Sequence, residues 1–136
     1  MTKIKHVLRI TTGLALAFFG LMMLLAVVPD PHAAWENQKN FSPEAKYFIL
    51  QLWDSNYLMH TVCLAHLLSG ILLLANRFVP LALIMHLPVS IQMTLFHAFM
   101  DVHTGLVAYM VLILNGTLMY LYRDSYKSLL SAKTGK

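Results

Sequence analysis

Charged residues are scarce in this sequence, where they make up 12% of 136 residues while 58% are hydrophobic. Soluble domains average about 25% charged residues, because they need polar surface to cover an apolar core. So little charge excludes an ordinary soluble domain and predicts a membrane protein with the lipid bilayer as its main partner. The net charge of +4 comes from basic residues at the ends of apolar segments, so we expect no nucleic-acid partner.

Cysteine is nearly absent as well. The single thiol, Cys63, lies within an apolar segment, so the chain can form no internal disulfide and has no CxxC redox pair. No activating cation is near it in sequence, and Cys63 is interpreted as a packing residue. Nucleophile triads, phosphate-binding loops and glycine fingerprints are also missing, so nothing in the sequence indicates an enzyme acting on its own.

Four long apolar segments make up most of the chain, at about residues 8–28, 57–75, 78–100 and 104–122. A helix rises about 1.5 Å per residue, so about 20 residues cross a hydrocarbon core of about 30 Å. The first segment is longer than a usual signal-peptide core and no A-x-A cleavage site follows it, so we expect it to be retained. The pattern predicts an all-α fold, an integral membrane four-helix bundle in a single domain covering residues 1–136.

Small residues recur along the first of these spans. Gly13, Ala17 and Gly20 are spaced four and three residues apart, so they share one helix face. Small side chains allow a neighbouring backbone to approach closely, which predicts that this face contacts another helix.

A short additional helix is predicted at about residues 43–55, between the first and second spans. Ser42 is suited to cap its N-terminus, Pro43 to occupy its first position and Glu44 to interact favourably with its dipole. Apolar and aromatic residues crowd one side of this segment, so we expect an amphipathic helix in the membrane interface.

The distribution of basic residues predicts the orientation in the membrane. Cytoplasmic loops of membrane proteins carry the excess of lysine and arginine. With four spans, eight basic residues lie on the side of both termini and two on the other side, so both termini are predicted to be cytoplasmic in a bacterial inner membrane. The eight are Lys3, Lys5, Arg9, Arg77, Arg123, Lys127, Lys133 and Lys136, and the two are Lys39 and Lys46.

Polar side chains inside the predicted spans are the candidates for a cofactor-binding site. His66, Gln92 and Asn115 fall near the middle of the membrane, and His86 and His97 share one stripe of the third span. Since Gln92 points away from that stripe, we expect that the five side chains do not all meet at one point. Two interpretations stay open: hydrogen bonds that hold the helices together, or a pocket for a quinone or other small amphipathic ligand, with His66 or His97 donating to a carbonyl.

Four residues near the outer end of the spans form a weaker candidate, for a metal site. His60, His97, Asp101 and His103 supply nitrogen and oxygen ligands that suit zinc or copper. No two of these histidines share an i, i+4 spacing on one helix, so hydrogen-bonded interfacial histidines are the simpler interpretation. His60 and His97 are also the one pair at a suitable depth for two axial haem ligands.

Four stretches carry a family resemblance: VLRITTGLALAFFG, LLSGILLLANRFVPLAL, LPVSIQMTLFHAFMD and LYRDSYKSLL. Together they resemble the DoxX-like family of small bacterial four-helix membrane proteins. The resemblance implies an association with respiratory or redox systems, as a subunit of a thiosulfate:quinone oxidoreductase or as a membrane anchor for soluble thiol and superoxide-detoxifying enzymes. Two positions depart from the family pattern. His66 stands where an acid is common, and Gln92 stands where the common amide is often asparagine.

The resulting hypothesis is a non-catalytic membrane subunit or anchor of a redox or respiratory assembly, with quinone as the candidate cofactor and a soluble or membrane redox protein as the partner. Residues 123–136, which are basic, are the expected docking segment, although anionic lipid headgroups would satisfy the same charges. The alternative hypothesis is a transporter or binding protein for a small molecule or metal. It would have to act as a homo-oligomer, since four short helices leave little room for an alternating-access site.

Overall fold

The computed structural model describes residues 2–27 and 29–127, apart from the side chains of Thr2 and Ala26. In this part of the chain the fold is all-α, with 85% of residues helical, six α-helices and no strand, so the predicted all-α class is confirmed. The helices are α1 (Thr2–Met22), α2 (Pro31–Glu36), α3 (Pro43–Asp54), α4 (Leu58–Leu74), α5 (Val79–Met100) and α6 (Leu106–Leu121).

The first helix starts earlier than the predicted segment at residues 8–28. α1 begins at Thr2, because no proline or glycine interrupts the basic first turns, and it continues as a π-helical turn at Met23–Val27. The predicted last residue of this segment lies outside the described residues. Asp30 then caps α2, a helix absent from the prediction: its carboxylate accepts a hydrogen bond at 2.9 Å from a backbone N–H three residues on, and Pro31 occupies the first helical position.

A helix is present where the interfacial helix was predicted. In α3 the Ser42 hydroxyl accepts a hydrogen bond from the backbone N–H of Ala45 at 3.2 Å, and the helix ends at Asp54, one residue before the predicted end. Its apolar side is buried against the protein through Ala45 and Ile49. α3 and α4 meet at an 88° bend, where Asn56 takes a φ of 64° that asparagine tolerates better than most residues.

The remaining helix boundaries lie close to the predicted ones. α4 is one residue shorter than predicted at each end, and α5 begins one residue late. α6 begins at Leu106, two residues late, because Val102–Thr104 forms a 3₁₀ turn, and it ends one residue early. The turn between α4 and α5 is tight, with φ of 54° at Asn76 and 51° at Phe78. Pro88 lies inside α5, where it removes one backbone hydrogen-bond donor.

α1 and α4 form the most extensive helix pair. Gly20 of α1 lies so near α4 that a Cβ there would be 2.6 Å from the backbone N of Leu67, and a Cβ at Gly13 would be 3.2 Å from the carbonyl oxygen of Gly70. This approach confirms the prediction that the small residues of the first span face another helix. α4 also packs on α5, α5 on α6 and α6 on α1, so the four long helices surround a shared apolar core that includes Leu83.

The start of α1, the turn between α4 and α5 and the end of α6 lie together at one end of the structure. The Lys5 ammonium is 3.6 Å from the centroid of the Tyr122 ring, a cation–π contact, and the Tyr126 hydroxyl donates to the Pro80 carbonyl at 3.2 Å. Residues 128–136, most of the predicted docking segment, lie outside the described residues. We name this end the basic end, after Lys5, Arg9, Arg77, Arg123 and Lys127.

Within residues 2–27 and 29–127, two helical segments are long and apolar enough to cross a membrane, at Lys3–Leu25 and Val79–Met100. α3 and α4 pass the same test together as a bent pair, which raises the number to three, and α6 is apolar but shorter at 16 residues. Large apolar side chains such as Phe18, Leu81 and Ile113 are exposed on these helices, as expected where lipid replaces water around a protein. These features indicate a membrane protein.

Candidate functional site

A cavity of about 790 Å³ lies between α1, α4 and α5, with α3 across one end. Ligand sites in proteins typically measure about 300 to 1,000 Å³ and are lined mainly by apolar side chains. This cavity has that character, because few polar groups interrupt a wall of aliphatic and aromatic side chains. The apolar wall includes Phe19, Met23, Trp35, Phe48, Leu52, Met59, Val62, Pro88, Met93 and Phe96.

Two irregular stretches of helix border the cavity. The π-helical turn of α1 contributes Met23 and Val27, and α5 contributes Pro88. A π-helical turn widens a helix locally and proline removes a backbone hydrogen bond, so neither helix packs there as a regular cylinder. π-helical turns within α-helices occur often at functional sites. The irregularities give a local reason for the space that α1 and α5 leave in front of α4.

Three of the five predicted cofactor-binding residues line the cavity: His66 on α4, and Gln92 and His97 on α5. The other two, His86 and Asn115, lie behind His66 and outside the cavity wall. The five side chains therefore form two groups. Gln92 was expected to point away from the stripe that contains His86 and His97; it is separate from His86 as predicted, but it lines the same cavity as His97 and His66.

His66 connects the cavity to the protein interior. The residue is 2% exposed, and its Nδ1 lies 2.9 Å from the backbone carbonyl oxygen of Val62. Because a carbonyl oxygen only accepts, Nδ1 carries the hydrogen and donates, and in a neutral ring Nε2 is then a lone-pair acceptor. The ring packs edge-on against His86, with 4.8 Å between ring centroids and 83° between ring planes.

Behind this histidine, His86 and Asn115 form a buried pair that links α5 to α6. Nδ2 of Asn115 donates to Nδ1 of His86 at 3.0 Å, and each residue is 1% exposed. Within the part of the chain that the structure describes, His86 Nε2 and Asn115 Oδ1 have no hydrogen-bond partner. An unpaired buried polar atom costs about 1–3 kcal/mol. The hydrogen bond between the two side chains links α5 to α6. It offsets part of the free-energy cost of burying them, and the pair is therefore interpreted as a structural contact between the helices.

His97 lies near the end of α5 that is opposite the basic end. Its Nδ1 is 3.3 Å from the backbone carbonyl oxygen of Asp101 and 3.1 Å from the hydroxyl of Thr104. The Thr104 hydroxyl donates to the same carbonyl at 3.2 Å, so the consistent arrangement has Nδ1–H donating towards both oxygens. The ring also packs against Phe96 and Phe41, with centroid distances of 5.0 and 6.2 Å. As in His66, a neutral ring leaves Nε2 of His97 as a hydrogen-bond acceptor.

The structure does not bring the four candidate metal ligands together as one site. His60 packs edge-on against Trp53, with ring centroids 5.7 Å apart, and His103 is exposed. The Asp101 carboxylate accepts a hydrogen bond from the backbone N–H of Ser42 at 3.0 Å, which ties the start of α3 to the end of α5. Among the described residues, no group of three or more His, Cys, Asp or Glu side chains could hold a metal ion.

Arg9 has a role that sequence patterning did not reveal. The pattern places it among the charges at the membrane surface, whereas the structure buries it to 5% exposure. Its guanidinium donates to the carbonyl oxygens of Leu73 and Leu74, the latter at 3.4 Å. These carbonyls end α4, where intrahelical partners run out and where the helix dipole favours a cation. The one available signal was its position inside an apolar run, and Arg9 is better described as a cap on α4.

No family model, curated protein or solved structure matches this chain. The DoxX-like resemblance therefore stays a prediction from the quoted stretches.

Proposed function

We propose that this chain is an integral membrane subunit that binds a quinone-type lipid in the cavity and serves a redox assembly without catalysing a reaction itself. The observation that carries the proposal is the cavity of about 790 Å³, which is mainly apolar and has His66, Gln92, His97 and the indole N–H of Trp35 as its polar groups. A flat ring with two oxygens and an apolar tail suits this combination. The apolar wall would bury the ring faces and the tail, and the few polar side chains would bind the oxygens.

The polar side chains lie at two depths in the cavity. At about 1.5 Å per residue, His66 is about 12 Å from the start of α4, and Gln92 is about 12 Å from the end of α5. His97 is only about one turn from the end of α5. A ring placed between the two levels would therefore have hydrogen-bonding groups towards both of its ends. Gln92 offers both a donor and an acceptor, so it can bind either a carbonyl or a hydroxyl.

The proposed placement has α1, α4, α5 and α6 crossing a bacterial inner membrane, with α3 in the interface away from the basic end. The grouping of lysine and arginine at the basic end supports a cytoplasmic location for that end, and therefore for both termini. α4 and α6 have 17 and 16 residues and rise only about 26 and 24 Å. Local thinning of the bilayer or the flanking 3₁₀ turns would make up the difference from a hydrocarbon core of about 30 Å.

The DoxX-like resemblance supports the redox part of the proposal. One of the stretches that carry it, LPVSIQMTLFHAFMD, contains Gln92 and His97, and another, LLSGILLLANRFVPLAL, begins directly after His66. The proposed partner is a soluble or membrane redox protein that supplies the catalytic machinery. Residues 123–136 are the proposed docking segment for it.

Quinone extraction from the protein purified in mild detergent tests the proposal. We expect a near-stoichiometric lipophilic quinone with the wild type and clearly less with Gln92→Leu, because leucine keeps most of the volume and removes the amide. Gln38→Leu makes the same change at an exposed position outside the cavity and should retain the ligand. A wild-type protein that carries no quinone and takes up none when a short-chain quinone is added contradicts the proposal.

Affinity co-purification separates the membrane subunit from the alternative function. A stoichiometric redox protein that elutes with the chain supports the subunit. A homo-oligomer without partners that moves a small molecule or a metal ion across liposomes supports the transporter.

A further inference from the structure

We infer that the cavity binds the reduced, dihydroxy form of its ligand in preference to the quinone, an inference that rests on the proposed function. It follows from the atoms that the two cavity histidines present. Both His66 and His97 place Nδ1 against a backbone carbonyl oxygen of the protein, at 2.9 and 3.3 Å. In each neutral ring the nitrogen left for a ligand is Nε2, which has a lone pair and no hydrogen.

The orientation of His66 is determined by its own helix and by a neighbour. The carbonyl oxygen bound by Nδ1 belongs to Val62, one turn earlier in α4. The residue is 2% exposed and its ring centroid is 4.8 Å from that of His86, so the ring has no space to turn over without movement of α5. An unpaired charge is unfavourable in apolar surroundings, which favours the neutral ring. His66 therefore meets a ligand as a hydrogen-bond acceptor.

His97 repeats this arrangement on α5. Its Nδ1 is near two oxygens, the Asp101 carbonyl at 3.3 Å and the Thr104 hydroxyl at 3.1 Å. If Thr104 donated to Nδ1 instead, the lone pair of Nδ1 would face the lone pairs of the carbonyl oxygen. The Thr104 hydroxyl can instead donate to that carbonyl, at 3.2 Å, which lets every group in the cluster find a partner. The second acceptor nitrogen in the cavity is thus His97 Nε2.

Two acceptors at different depths select a ligand with two donors. A quinone offers only carbonyl lone pairs to them, whereas a para-hydroquinone offers two O–H groups. The two histidines differ in depth by roughly 8 Å, from the helical rise and the adjoining ends of α4 and α5. The two oxygens of a para-hydroquinone are roughly 5.5 Å apart, and each hydrogen bond adds about 2.8 Å. The ligand can therefore join two nitrogen atoms roughly 11 Å apart, which is enough for the difference in depth together with the sideways distance between α4 and α5.

The two remaining polar side chains of the cavity, Trp35 and Gln92, do not oppose this selection. Trp35 lines the cavity and its indole N–H has no hydrogen-bond partner among the described residues, and such a donor binds a carbonyl or a hydroxyl oxygen alike. The amide of Gln92 both donates and accepts, so it binds a carbonyl and a hydroxyl about equally well. The preference for the reduced form therefore comes from the histidines. We expect about tenfold in affinity for each hydrogen bond that the quinone cannot make.

Binding of three probes to the purified wild-type protein, measured anaerobically by calorimetry, tests the inference. The probes are an alkyl para-hydroquinone, the matching quinone and the dimethyl ether of the hydroquinone. We expect the hydroquinone to bind at least tenfold more tightly than the other two, because only it carries O–H donors. His97→Phe should weaken hydroquinone binding about tenfold and leave quinone binding nearly unchanged. His103→Phe, the same change at an exposed site outside the cavity, should have no effect.

The outcomes separate this inference from the proposed function. Quinone binding that equals or exceeds hydroquinone binding overturns the inference and leaves the proposed function intact. A hydroquinone preference that is unchanged in His97→Phe also overturns it, since the histidine would then not be the acceptor. Failure of all three probes to bind overturns the proposed function together with the inference.

Discussion

The close contact between α1 and α4 can be tested with the same substitution at two glycines. Gly20→Ala would place a Cβ 2.6 Å from the backbone N of Leu67 and 2.9 Å from its Cα, so α1 would have to move away by roughly 1 Å to relieve the overlap. Gly116→Ala, in α6, would place a Cβ with no heavy atom within 4 Å. Both sites lie inside an α-helix, so the change in helix propensity is the same in the two variants.

The expected difference in the free energy of unfolding has two terms. Alanine is favoured over glycine in a helix by about 0.5–1 kcal/mol, and this gain should appear alone in Gly116→Ala. Forcing a methyl group into a packed contact costs about 1–3 kcal/mol. Gly20→Ala should therefore be less stable than Gly116→Ala by about 1–3 kcal/mol, or roughly 3–10 °C in Tm for a chain of this size.

Thermal unfolding followed by circular dichroism in a single detergent measures this difference. We expect Gly20→Ala to have the lowest Tm, the wild type an intermediate Tm and Gly116→Ala the highest. Equal Tm values for the two variants refute the close approach of α1 to α4. They would also contradict the position of α1 as a wall of the cavity.

Two other predictions concern a buried hydrogen bond and an alkaline transition. Asn115→Leu and His86→Phe should show a coupling free energy of unfolding of about 0.5–2 kcal/mol in a double-mutant cycle, and simple additivity contradicts the buried pair. Burial, followed by the nearby Tyr122, raises the pKa of Tyr126, whose neutral hydroxyl donates to Pro80. Its stabilising effect should be complete below the ordinary tyrosine pKa of about 10 and disappear as the pH rises through the raised value. Tyr126→Phe should remove that part of the alkaline loss of stability in pH-dependent unfolding, and an unchanged pH profile contradicts this role.

Helix positions could be predicted where the local signal was unambiguous. Ser42 and Pro43 predicted the start of α3, since a capping hydroxyl followed by proline has few other uses. The same signal at Asp30 and Pro31 starts α2, but Pro29 directly before it indicates a helix end equally well. The helix after Asp30 was therefore not predicted, although the sequence contains its N-cap residue.

The grouping of the polar side chains could not be predicted in the same way. α4 and α5 are apolar around most of their circumference, so the sequence pattern does not determine how each helix is rotated about its axis. Packing contacts such as that of Gly20 with Leu67 set those rotations, and they bring His66 against His86 and Gln92 into the cavity. The π-helical turn and the burial of Arg9 also depend on neighbouring helices, and neither has a distinctive local signal.

Arg9 and Gly20 together limit how α1 can move relative to α4. The guanidinium is held at the last carbonyls of α4, while Gly20, about three turns or roughly 16 Å further along, fits against Leu67. A slide by one turn would take the cation off its carbonyls and press a larger residue onto the Leu67 backbone, and a rotation of α1 would do the same. These two contacts therefore hold α1 and α4 in one register and one relative rotation, which determines which faces of the two helices line the cavity.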